Sequence, residues 1–170
     1  MHFHASISRA FTLVEVLVVV AIIAIAGAVV VPSMTNTGSL TVQGGARIII
    51  ADLLYAQNDA IAKQKSRKVI FDEANNSYKL TALDGTMLGA NWKGGNASTG
   101  NYLVDFNNDD RFNGVKIENA KFGDDAEIVF DALGGPDSGG TVEIVFGNFR
   151  YRVTVTAITG RVTVAPVNGG

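Results

Sequence analysis

A chain of 170 residues can hold one domain with its own core and a further short segment. Fourteen basic against sixteen acidic residues leave a net charge of −2, which gives no general reason to expect nucleic acid or an anionic surface as partner. Cysteine is absent and both histidines, His2 and His4, stand at the extreme N-terminus, so disulfides, thiolate nucleophiles and Cys-zinc sites are excluded and the usual general base is missing from the rest of the chain. An enzyme is not expected, nor is a cofactor.

The first ten residues carry a single charge apart from the terminus, Arg9. From Phe11 to Val31 the chain then reads F-T-L-V-E-V-L-V-V-V-A-I-I-A-I-A-G-A-V-V-V, 21 residues with Glu15 as the only charge. As a helix this run measures about 31 Å, enough to cross a hydrocarbon core. A carboxylate there costs a few kcal/mol and calls for a functional reason. Cutting the chain between Ala10 and Phe11 would supply one. The new amine would lie four residues before Glu15, on the same helical face, and could pair with it within one chain or between neighbours. Three simpler readings compete: a secretory signal ending at Ala24-Ile25-Ala26, a plain anchor, and a buried core helix. Ala21, Ala24 and Ala28, with Gly27 beside them, form a stripe of small residues suited to close helix packing. Pro32 lacks a backbone donor and is expected to end or kink the helix.

Thr35–Gly45 breaks the apolar pattern and reads as a linker or local unwinding. Ala46–Lys65 reads as an amphipathic helix. Its apolar stripe is Ala46, Ile49, Ile50, Leu53, Ala56, Ala60 and Ile61, with Asp52, Asp59 and Lys63 opposite and an Asp59–Lys63 pair at i,i+4. Alternation then predicts strands at 68–72 and 77–83 around the turn Glu73-Ala74-Asn75-Asn76. Gly85–Gly100, with the only Trp, Trp92, reads as an exposed excursion. Further strands are expected at 102–106, 115–118, 127–130, 141–146, 151–157 and 162–165. The last three form a meander joined by Gly147-Asn148 and Thr159-Gly160. Strands at this spacing predict a sandwich or folded sheet packed on the 46–65 helix. The fold class is therefore α+β.

Few other residues suggest chemistry. Asp105, Asn107, Asp109 and Asn113 space oxygens at positions 1, 3, 5 and 9, as calcium loops do. Position 6 is Asp110 instead of Gly and position 12 is Lys116 instead of Glu, so a solvated turn is the simpler reading. Asp72, Asp84, Asp124, Asp125, Asp131 and Asp137 read as turn and strand-end residues. Gly134–Gly140 lies between strands and lacks the Lys-Ser/Thr and helix of a phosphate loop. Arg150, Arg152 and Arg161 could form a small basic patch on the terminal meander.

F-T-L-V-E after a small residue and a basic leader resembles the class III signal of type IV pilins and type II secretion pseudopilins. In that family a membrane aspartyl peptidase cuts the leader and methylates the new amine. The resemblance implies cleavage between Ala10 and Phe11, N-methylation of Phe11 and an assembly role for Glu15; the family usually has Gly where this chain has Ala10. A helix ending near A-I-A-K-Q-K-S, the strand V-I-F-D, and the closing I-V-F-D-A-L-G-G and Y-R-V-T-V-T-A-I-T-G-R-V-T-V resemble the general secretion pathway H/FimT group of minor pseudopilins. This match spans about residues 8–70 and 126–165. It implies a leader at 1–10, a transmembrane assembly helix at 11–32 and an extracytoplasmic pilin-like domain at 33–170, with helix 46–65 and sheets over 67–166. The expected protein is a minor pseudopilin in the inner membrane with its C-terminal domain in the periplasm. Its expected partners are other pseudopilins, through the N-terminal helix, and the prepilin peptidase. The rival is a FimT-like minor type IV pilin for pilus assembly or DNA uptake. FimT-type proteins bind DNA through a basic region with G-R-x-R, which becomes Gly160-Arg161-Val162-Thr163 here, so DNA is not expected as a partner.

Overall fold

The computed structural model describes residues 12–33, 37–90 and 100–167, with side chains left out over 27–37. The chain divides into two compact units, Met1–Thr37 and Gly38–Gly170. In the first, helix α1 spans Leu13–Ser33, so it runs through Pro32. Leu13 to Ile25 shows no buried face: its Val, Leu and Ile side chains are 49–77% exposed. The described side chains of this helix stop at Ala26, after about 21 Å. Among the described residues no helix is long and apolar enough to cross a membrane.

The second unit opens with α2, Thr37–Lys63, followed by eight strands: β1 Arg67–Asp72, β2 Ser77–Ala82, β3 Leu103–Asp105, β4 Lys116–Phe122, β5 Glu127–Phe130, β6 Gly140–Phe146, β7 Phe149–Val155 and β8 Val162–Pro166. They form two antiparallel four-stranded sheets, ordered β3-β2-β1-β5 and β4-β6-β7-β8. Every predicted strand is present within one to four residues at its ends, and β6-β7-β8 is the predicted meander. The helical stripe Val42, Ala46, Ile49, Leu53, Ala56 and Ala60 is buried in one core with Val69, Leu80, Ile128, Phe130, Ile144 and Val153 from both sheets. Alternation along β1 produces this directly, because its odd-numbered residues face inward.

The helix starts earlier than the expected Ala46, and the linker expected at 35–45 is helical from Thr37. Gly44 and Gly45 each cost a helix about 1 kcal/mol against Ala, but this site has no room for more. A Cβ at Gly45 would stand 3.3 Å from both Ile144 Cγ2 and Val115 Cγ1, and one at Gly44 would stand 3.1 Å from Phe112 Cε1. Packing on β6 and on the loop before β4 offsets the propensity loss. At the other end Gln64 takes φ +54°. The Lys65 amide donates to Ala60 O and the Gln64 amide to Ile61 O, a paired C-cap in which Gln occupies the position that Gly usually fills.

Two further expectations for α2 fail. Asp52 is 2% exposed rather than on the outer face, because hydroxyls of Tyr78 and Tyr102 donate to its two oxygens at 2.5 and 2.8 Å. Asp59 pairs with Arg67 at the start of β1, not with Lys63.

The sheets are clasped by the β1–β2 turn. Asn76, at φ +51°, donates through Nδ2 to Val115 O and Asn107 Oδ1 and accepts at Oδ1 from the Ile117 amide. The β4 register slips between Glu118 and Lys121. In this bulge the Ala120 amide turns out of the ladder and donates to Glu73 Oε1. Bulge residue Asn119, also at positive φ, donates to Glu143 Oε2. Alternation alone ends this strand at Glu118, because a bulge breaks the two-residue period. In the expected excursion, residues 86–90 are bonded to β2 and to the approach to β3: the Leu88 amide donates to Leu80 O, and the Tyr102 amide donates to Leu88 O. Trp92 lies outside the described residues.

Candidate functional site

The first candidate is the start of α1. Ala10 and Phe11, the expected cleavage position and mature N-terminus, lie outside the described residues. Thr12 stands just before the helix, and its Oγ1 accepts from the Glu15 amide at 3.2 Å. Thr12-Leu13-Val14-Glu15 thus has the T-x-x-E spacing of a helix N-cap, a signal readable in the sequence that the membrane reading passed over. Glu15 also sits in the first turn, where the helix dipole favours a carboxylate. It is exposed on a helix with no other charge over its described length, beside Val16, Val19 and Val20. Ala21 and Ala24 are exposed on the same helix; Gly27 and Ala28 fall among the undescribed side chains. A helix apolar on every side needs lipid or other helices to cover it.

The calcium candidate is organised as a turn. Asp105 accepts from the Asn107 amide and from Asn108 Nδ2. Asn107 accepts from Asn76. Asp109 caps a 3-10 turn over Asp110–Phe112 and is bridged by Arg111 through Nε at 2.9 Å and Nη2 at 2.6 Å. That guanidinium holds the Asp109 carboxyl below its usual range. Asn113 closes the 3-10 turn as its C-cap. Among the described residues no group of three or more acidic side chains is placed to hold a metal.

The expected basic patch is already partnered. Glu143 on β6 is 5% exposed and receives Arg150 on one oxygen, Arg152 Nε and Nη2 on the other, and Asn119 beside them. Arg150 also reaches Glu118 at 3.0 Å. Burial pushes the Glu143 pKa up, but hydrogen bonds from Asn119, Arg152 and Arg150 outweigh it and bring it down to about 2. The sequence shows the two arginines but not their partner. Glu143 lies across the β6–β7 pair from Arg152, a register visible only once the hairpin is known. Arg161 stands apart, exposed after the β7–β8 turn.

The isolated aspartates are turn residues, as expected. Asp72 accepts from Asn75, Asp84 from the Thr86 amide, Asp125 from Glu127, Asp131 from Leu133 and Gly135, and Asp137 from Val129. Gly134–Gly140 is a turn as well. Gly134 O accepts from Gln57 Nε2 at 2.7 Å, and a Cβ at Gly134 would stand 2.7 Å from Ile61 Cδ1. A Cβ at Gly160 would stand 2.4 Å from the same Gln57 nitrogen. The Gly-Gly and Gly-Arg pieces of the family resemblance therefore meet on α2, which accounts physically for glycine at both.

Buried Asp52 is the remaining acid of note. Tyr55 stacks on Tyr102 at 5.3 Å, and burial followed by the charge of Asp52 pushes the hydroxyls of Tyr78 and Tyr102 well up.

Residues 6–31 match the family described as the prokaryotic N-terminal methylation motif. The chain thus joins a prepilin-type N-terminal segment to a pilin-like α+β fold. Solved structures with that fold include the minor pseudopilin EpsH from the type II secretion system of Vibrio cholerae, at 14% identity and TM-score 0.52 over 76% of this chain and 97% of that one. A second EpsH structure matches at 13% identity and TM-score 0.50, over 73% and 95%. The type IV minor pilin FimU of Pseudomonas aeruginosa matches at 15% identity and TM-score 0.52, over 74% and 88%. No curated protein matches the chain.

Proposed function

We propose that this protein is a minor pseudopilin, a non-enzymatic structural subunit of a type II secretion pseudopilus that supports protein export across the outer membrane. The observation that carries this reading is a methylation motif over residues 6–31, whose exposed helix is apolar apart from Glu15, joined to a pilin-like domain. Prepilin peptidase would cut between Ala10 and Phe11 and the new amine would be methylated. Glu15 would then face the amine of Phe11 in a neighbouring subunit. The 21-residue backbone helix, about 31 Å long, would sit in the inner membrane with the second unit in the periplasm. Lipid or neighbouring helices would cover its Val, Leu and Ile side chains.

A FimT-like minor type IV pilin is the second reading, since EpsH and FimU match equally well. Within it, DNA uptake is disfavoured because Gly160-Arg161-Val162-Thr163 lacks the second arginine and Arg150 and Arg152 are held by Glu118 and Glu143. A phosphate would have to compete with a buried carboxylate for them.

Intact mass and N-terminal sequencing of protein from membranes test the reading, with a chain beginning at methylated Phe11 expected. Ala10→Leu should accumulate precursor. Glu15→Val should be inserted and cleaved normally yet enter fibres poorly. Retention of Met1, or normal fibre entry by Glu15→Val, would refute it. Loss of secretion rather than of pili on deletion separates the two systems.

A further inference from the structure

Two aliphatic side chains stand almost fully in water at one end of the second unit, Leu133 at 86% and Ile158 at 88% exposure. Neither is on a loose loop. The Leu133 turn is fixed by Asp131, which accepts from the Leu133 and Gly135 amides, and by Gln57 on Gly134 O. Ile158 has φ +71° in a tight turn closed by the Thr159 amide on Ala157 O, and the Gly160 amide reaches back to Thr156 O. A β-branched residue in that backbone region is strained by about 1–3 kcal/mol. Gly134 and Gly160 both pack on Gln57, so the two tips are neighbours, with half-exposed Ile61 beside Gly134. Lys63, Lys65 and Arg161 follow these residues closely in the chain, are exposed, and enter no ion pair among the described residues. Two fixed aliphatic tips therefore stand together, with Lys63, Lys65 and Arg161 close to them in the chain and the exposed Asp131 within the Leu133 turn.

The same unit carries the complement. A groove of about 540 Å³ runs over the first sheet, walled by Ile70, Met87, Leu103 and Ala126, with Lys79 inside it. Asp72 and Glu73 line one end of the groove, and Asp124 and Asp125 immediately precede Ala126 in the chain. None of these four carboxylates enters an ion pair among the described residues.

The geometry points to head-to-tail docking of a second copy of this chain, with Leu133 and Ile158 entering the Ile70–Met87–Leu103 groove and Lys63, Lys65 and Arg161 meeting its acidic rim. Such a contact joins two different surfaces and leaves each free at the ends, so it builds an open row, not a closed dimer. Charge complementarity sets its direction, since tip against tip would oppose cations and groove against groove would oppose acids. This inference depends on neither cleavage nor Glu15, because both surfaces lie within Gly38–Gly170.

The chain's lack of cysteine makes the test direct. Full-length Ile158→Cys and Met87→Cys chains carrying different mass tags are mixed in detergent and mildly oxidised. The mixed disulfide should exceed its statistical proportion at low salt and fall toward it at high salt. Adding Lys65→Glu and Arg161→Glu to the first chain should lower the excess about tenfold. A statistical mixture overturns the proposal, as does an excess of the Ile158→Cys homodisulfide, which would mean symmetric tip pairing. An environment-sensitive dye on Ile158→Cys whose apolar signal persists at high salt and in the Lys65→Glu, Arg161→Glu background would assign the tip to lipid and overturn it equally.

Discussion

Asn76 shows how much one side chain can hold at the residue scale. Its amide joins the β1–β2 turn to Val115, Ile117 and Asn107 from a backbone conformation that few residues other than Gly and Asn tolerate. Asn76→Ala strands a buried carbonyl and amide and adds strain, so urea unfolding should show a loss on the order of 3 kcal/mol. Asn76→Gly should recover only the strain. Glu143 has a pH signature. Its folded pKa of about 2 lies below the ordinary 4.5, so its stabilisation is complete above about pH 4.5 and disappears as pH falls through about 2. The half-exposed arginines moderate the size to roughly 2–3 kcal/mol. Glu143→Gln should be less stable at pH 7, yet lose less than the parent between pH 4.5 and 2 in a melting series.

At the scale of elements, the strands were legible because alternation and turn residues agree. The odd residues of β1 are buried, two of them apolar, and Asp72-Glu73-Ala74-Asn75-Asn76 closes its hairpin. The start of α2 was not legible. Thr37–Gly45 holds three glycines, and its helicity depends on Ile144, Val115, Phe112 and Phe146, residues 68 or more positions away. Propensity cannot see such neighbours. Asp52 was misplaced for the same reason, since the tyrosines that satisfy it come from distant parts of the chain. Among candidate sites, F-T-L-V-E was readable as a local motif, whereas the Glu143 cluster required knowledge of strand register. The helix glycines provide the test. A single Cβ at position 45 would already stand 3.3 Å from Ile144 and Val115. Gly45→Val adds two methyl groups beyond it and should cost about 2–3 kcal/mol in chemical denaturation. A neutral result would mean that α2 does not pack closely on β6.

For the whole molecule, the 105–113 loop should leave stability indifferent to calcium. Asp105 and Asp109 already receive amides and Arg111, so calcium and a chelator should give the same melting temperature. A saturable rise lost in Asp109→Ala would restore the metal reading. The two sheets have a further consequence through their order in the chain. β4 belongs to the second sheet, yet β5, which follows it, returns to pair with β1 of the first. Neither sheet can be finished before the other has begun, and no cut of the chain separates them. Partly built forms gain little from the distant pairings that they still lack, so folding should be slow for the size of the domain and all-or-none. On the proposed reading, in which the second unit reaches the periplasm as an extended chain, that delay would keep the domain open until β5 and the closing meander have emerged.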